Sequence, residues 1–177
     1  MLDIVGFGRR SGEEQEDLYR RIDTLVNRVI ADLGFSDADM DGADAGDSKV
    51  VFLPVGVTSS RVVPRLISAL AERLAQDNRR YRDRMRLRMA IGSGLVGAGS
   101  LGFTDELVVN LHRMVDSTVL RAAIMDNEDA VLALLLTDTI RDEVIRPGYL
   151  DATDFTRVEI TTKEFTGFVW LQLSYGR

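Results

Sequence analysis

The sequence predicts an α+β fold, and three observations carry that expectation. Apolar residues recur at three- and four-residue steps over two stretches of about twenty residues, which sets them along one face of two long helices. Short β-branched or alternating runs lie before, between and after those stretches, bounded by Gly, Asp and Ser. The resulting order of strand, helix, strand, strand, helix, strand calls for a mostly antiparallel sheet with helices packed on it.

Each element has its own signal. Met1 to Phe7 reads as the end of a strand stopped by Gly6 and Gly8, and Ser11 with Glu14 has the form of a capping box. The first helix follows, with Leu18, Ile22, Leu25, Val26, Val29, Ile30 and Leu33 on one face and Gly34 at its end. The acidic stretch Ser36 to Asp47 leads into Val50, Val51, Phe52 and Leu53, a hairpin with Gly46 and Asp47 at or near its tip. A second helix over about 59–80 carries Val63, Leu66, Ile67, Leu70 and Leu74, with Pro64 in its first turn. Leu87 to Ile91 is a strand, and Gly92, Gly94, Gly97 and Gly99 then punctuate a hairpin or bulged segment. A helix over 105–116, a strand over 131–136, a short helix over 137–145 and a hairpin over 155–173 complete the chain. The first six elements form a ferredoxin-like βαββαβ core, the rest a C-terminal extension, and 1–177 is one domain.

Composition narrows the function classes. A net charge of −6 argues against gripping the backbone of a long nucleic acid. The arginines between Asn78 and Arg88 read as a solvated helix end and strand entry. The absence of Cys excludes disulfides and thiolate chemistry, and His112 as the lone His leaves no zinc site or His-based triad. His112 itself reads as a partly buried helix residue. No apolar run reaches the roughly 20 residues of a membrane span, and the N-terminus lacks a signal-peptide pattern, so a cytoplasmic location without membrane attachment is expected. No Gly-Lys-Ser/Thr follows the glycine-rich stretch, so it is not a phosphate loop of that kind.

Asp3 and Asp47 are the acids placed for chemistry. In a β-α-β-β arrangement the end of the first strand and the tip of the hairpin approach one another, and two close carboxylates favour a cation between them. The plainer reading makes Asp3 a terminal acid and Asp47 an ordinary turn residue.

Several motifs bear on that choice. Asp3-Ile4-Val5-Gly6-Phe7-Gly8, Gly46-Asp47, Leu87-Arg88-Met89-Ala90-Ile91-Gly92-Ser93-Gly94, Val109-Asn110-Leu111-His112-Arg113 and the ending Lys163-Glu164-Phe165-Thr166-Gly167-Phe168-Val169-Trp170 occur in that order. Together they resemble the catalytic domain of class III adenylate/guanylate cyclases, in a divergent form similar to an actinobacterial cyclase-homology subgroup. The resemblance implies that Asp3, the carbonyl of Ile4 and Asp47 hold two Mg2+ or Mn2+ ions. It further implies that the backbone at Phe7 and Gly8 cradles phosphates, that Lys163 binds the terminal phosphates, that Asn110 orients the ribose and that Arg113 stabilises transition-state charge. The implied substrate is a nucleoside triphosphate, the products a 3′,5′-cyclic mononucleotide and pyrophosphate, and the implied assembly a homodimer with the site between subunits, serving signal transduction.

The departures from that pattern are specific. Asn110 and Arg113 have two residues between them where the family has three, a difference of about 100° around a helix. Alignment on Asn110 puts Met114 in the arginine position; alignment on Arg113 puts Val109 in the asparagine position. The family's base-selecting positions fall on Ala43 and on Gly102 or Phe103, and Gly8 stands where the family has Ser or Thr. A domain that has lost turnover and serves as a nucleotide-binding or dimerising module is therefore the alternative. A polymerase palm or diguanylate cyclase also sets acids at two such points, but the G-G-D/E-E-F hairpin is missing.

Overall fold

The computed structural model describes residues 1–39, 41–45, 48–94, 106–162 and 166–176. A seven-stranded sheet in the order β2-β3-β1-β4-β5-β7-β6 organises them. Its strands are β1 (Leu2–Ile4), β2 (Asp41–Ala45), β3 (Ser48–Phe52), β4 (Leu87–Ile91), β5 (Ala130–Leu136), β6 (Thr156–Thr161) and β7 (Thr166–Tyr175). All neighbours pair antiparallel except β4 and β5, which are parallel.

Helices cover both faces. On one lie α1 (Gly12–Leu33), α2 (Ser59–Arg80) and α5 (Asp138–Val144), whose apolar stripes meet Leu2 and Ile4 of β1 and Leu132, Leu134 and Leu136 of β5. On the other lie α3 (Glu106–Asp116) and α4 (Thr118–Met125), packed on Ala133, Leu135, Ile160 and Val169. The sequence reading expected two helices on one face; α4 and the covering of the second face were not foreseen. An eight-residue helix leaves too short a stripe to register as a period, and Ser117, whose hydroxyl accepts from the Leu120 N–H, is its only start signal.

Sandwiching explains β5. All seven of its residues are buried, so it reads as a continuous apolar run rather than an alternation. The expected start of α1 is present as built: Ser11 accepts from the Glu14 N–H and Glu14 accepts from the Ser11 N–H, a capping box, while Gly34 closes the helix with a left-handed φ of 88°.

The arginine-rich stretch divides in two. Arg79, Arg80, Arg82 and Arg84 are exposed as read, whereas Arg86 and Arg88 turn inward. Arg86 donates to the carbonyls of Ala130, Asn127 and Ile124, so one guanidinium caps the end of α4 and the start of β5. The strand expected over Leu87 to Ile91 is β4; of the glycine-rich segment after it, 92–94 belong to no strand and the rest lies outside the described residues.

Candidate functional site

The first strand brings Asp3 to the middle of the sheet, directly across from Ser48 on β3 and Arg88 on β4. Side chains alternate along β1, so Leu2 and Ile4 enter the core beneath α1 and α2 while Asp3 turns to the face beneath α3. Asp3 is only 3% exposed there. Its carboxylate is hydrogen-bonded and ion-paired to Arg88, and the Ser48 hydroxyl donates to it at 3.3 Å.

Arg88 is buried too, and its other terminal nitrogen donates to the Val115 carbonyl at 3.2 Å. It thus ties the carboxylate on β1 to the last turn of α3, where the carbonyl ends carry partial negative charge. Its Nε finds no hydrogen-bond partner among the described residues. Burying two charges is tolerable only because they meet. The arginine run ending at Arg88 reads as solvated, and burial of Arg88 against Asp3 overturns that reading at this position. The available signal was a lone cation in an otherwise apolar strand, facing the same side as Asp3.

The remaining site residues fall as follows. Ile4 is buried in the core, and its carbonyl lies on the β3 side of β1. Phe7 is also buried, its ring edge-on to Tyr19 at 4.8 Å between centroids, which leaves only its backbone for a ligand. Gly6 takes a left-handed φ of 71°, and the short 3-10 turn Phe7–Arg9 follows. The N–H groups of Phe7 and Gly8 are absent from the turn's hydrogen bonds, which run from Arg9 to Gly6 and from Arg10 to Phe7. A side chain at Gly8 would meet nothing within 4 Å, so the Ser or Thr of the resembled pattern would fit there without strain. Arg10 clamps the turn, donating to the Val5 carbonyl at 3.0 Å and forking onto both carboxylate oxygens of Asp83 at 3.0 Å.

Asn110 and Arg113 lie on α3, and the Arg113 guanidinium donates to the Asn110 side-chain oxygen at 3.4 Å. The helix is regular from Glu106 to Asp116, with no bulge to absorb the missing residue, and Met114 is fully buried in the core. Asp47 and Lys163 lie outside the described residues, as do Gly46, Gly102 and Phe103. No group of three His, Asp or Glu side chains able to hold a metal ion occurs among the described residues. Of the two acids expected to hold metal, Asp3 is ion-paired with Arg88, and Asp47 lies outside the described residues.

Burial pushes the His112 imidazole below its ordinary value of 6.5, with Asp116 pulling the other way. In solution the single His resonance should titrate with a midpoint below 6.5. Because the unfolded chain then binds the proton more readily than the folded one, this group's contribution to stability is present above pH 6.5 and lost as pH falls through the window beneath it. Urea titrations at several pH values should show the slope of stability against pH flattened in His112→Gln; an unchanged slope refutes the assignment.

Comparison with known proteins places the fold. The chain is similar to the crystal structure of the adenylyl cyclase CyaB from P. aeruginosa, with a TM-score of 0.60 and 15% identity over 99% of this chain and 92% of that one. No protein-family model matches the sequence, and no curated protein matches it. No described helix is long and apolar enough to cross a membrane.

Proposed function

We propose that this chain is a domain of the class III nucleotide cyclase type that binds a nucleoside triphosphate and has lost most or all turnover. The burial of the Asp3 carboxylate against Arg88 carries this reading. A guanidinium there supplies the positive charge a divalent cation would otherwise bring, and withdrawing it would strand a buried charge. The Asn110–Arg113 pair on an unbulged helix supports the same reading, since each group's hydrogen-bonding capacity is turned partly on the other.

Binding itself has support. The left-handed Gly6 presents the N–H groups of Phe7 and Gly8 in succession, an arrangement suited to phosphate oxygens. The order β2-β3-β1-β4 supports a ferredoxin-like core, with β5 to β7 as its extension. In this reading Lys163 adds a contact to the terminal phosphates, and two copies of the chain complete the site between them.

Turnover with Mg2+ or Mn2+ on Asp3, the Ile4 carbonyl and Asp47 is the second reading. One observation favours it: Ser48, the chain neighbour of Asp47, lies directly across from Asp3. Incubation of the purified protein with each of the four nucleoside triphosphates and either metal separates the readings. The expected result is a raised melting temperature with at least one triphosphate and no cyclic product. Cyclic product abolished by Asp47→Ala establishes the second reading, and no thermal response to any triphosphate refutes both.

A further inference from the structure

The groove between α1 and α2 gathers positive charge in a protein whose net charge is −6. Arg21 and Arg28 stand seven residues apart on α1, and Arg73 and Arg80 seven apart on α2, so each pair lies two turns apart on one helix face. The helices run antiparallel: Arg21 pairs with Asp77 in the last turn of α2, while Arg73, a turn earlier, pairs with Asp32 in the last turn of α1. All four arginines line a cavity of about 180 Å³, together with Asp77. It lies on the opposite side of the sheet from the Asp3 carboxylate.

Two of the four guanidiniums are committed. Arg21 donates to Asp77 at 2.5 Å and to the Asp83 carbonyl at 3.0 Å, and it lies over the Tyr81 ring at 4.2 Å from the centroid. Arg73 forks onto the Asp32 carboxylate at 2.7 and 2.8 Å and donates to Gln76 at 3.3 Å. A carboxylate balances each of those charges. Arg28 and Arg80 are exposed, and neither has a hydrogen bond or ion pair among the described residues. They rise from opposite ends of the groove. Arg80 lies in the chain between Asp77 and Tyr81, the two residues that grip Arg21, and Arg28 stands about 10 Å further along α1. Two like charges over one small cavity repel, and an anion between them relieves the repulsion.

We infer that this groove binds a diphosphate group, one phosphate to each of the two uncommitted guanidiniums. A guanidinium matches phosphate oxygens with paired donors, and the separation of Arg28 from Arg80 suits two linked anionic groups better than one. The cavity is smaller than the roughly 300 Å³ at which sites for drug-sized ligands begin, so it takes the diphosphate and leaves any attached group outside. A long nucleic acid needs an extended basic face, and Asp23 and Glu72, exposed on the same two helices, oppose it.

The probe is inorganic pyrophosphate in metal-free buffer, followed by titration calorimetry. Pyrophosphate is expected to bind, and inorganic phosphate to bind about tenfold or more weakly. Arg28→Gln and Arg80→Gln should each weaken pyrophosphate about tenfold or more, while the double variant keeps the parent's melting temperature because both side chains are exposed. Backbone amide resonances of Thr24 and Gln76, which line the groove, should shift on titration. The monomethyl ester of diphosphate separates the two sources of the group: binding equal to that of pyrophosphate admits a diphosphate ester, and lost binding restricts the groove to the free anion. The inference is overturned if pyrophosphate does not bind, if phosphate binds as tightly, or if the double variant binds pyrophosphate undiminished, which would put the anion elsewhere, as at the Phe7–Gly8 turn. The comparison of pyrophosphate with phosphate is made on the unaltered protein, so misfolding of a variant cannot mimic it.

Discussion

Arg88→Ala destabilises the fold by about 3–5 kcal/mol, read as a lowered midpoint of urea unfolding. The expectation follows from what is left behind. Asp3 is 3% exposed, and without Arg88 its carboxylate loses the cation it is buried against. The last turn of α3 loses its contact as well, since the Val115 carbonyl no longer receives a guanidinium proton. The double replacement Asp3→Leu with Arg88→Met should recover most of the loss, because a well-packed apolar pair is often as stable as a buried ion pair. A double variant no more stable than Arg88→Ala would show that the cost comes from lost packing and not from a stranded charge.

Leu134→Ala is expected to cost about 2–5 kcal/mol and to lower the melting temperature by roughly 5–15 °C. Leu134 is fully buried in β5, between the parallel neighbour β4 and the antiparallel neighbour β7, and its side chain meets the core beneath α1, α2 and α5. A strand paired on both edges cannot shift to close the hole. Met125→Ala provides the contrast, since Met125 is 51% exposed and its loss should change stability by no more than about 0.5 kcal/mol. Similar effects from the two replacements would contradict the sandwiched sheet.

Long amphipathic stretches were legible in the sequence, and so were their stops. The α2 boundaries at Ser59 and Arg80 and the β4 boundaries at Leu87 and Ile91 coincide with the pattern-based reading, because Ser59, Pro64 and the apolar period all agree. The α4 helix escaped because its eight residues make barely two turns. The site was less legible for a different reason. Asp3 attracts notice as an acid at a strand end, but nothing local in the sequence says that its partner is Arg88, 85 residues away. That pairing is decided by strand order, and strand order is a property of the whole sheet. Arg86 escaped likewise: its three carbonyl partners come from 38 to 44 residues further on and belong to α4, β5 and the turn joining them.

The position of β1 has a consequence for how the molecule assembles. The three residues of β1 join the β2-β3 ribbon to the four strands on the other side, and their partners lie about 45 and 85 residues downstream. The β6-β7 hairpin and the long helices need only nearby sequence and can form early. The two halves of the sheet must therefore be brought together late, through β1, and the speed of folding should respond more to changes at Leu2 and Ile4 than to changes anywhere in the C-terminal hairpin.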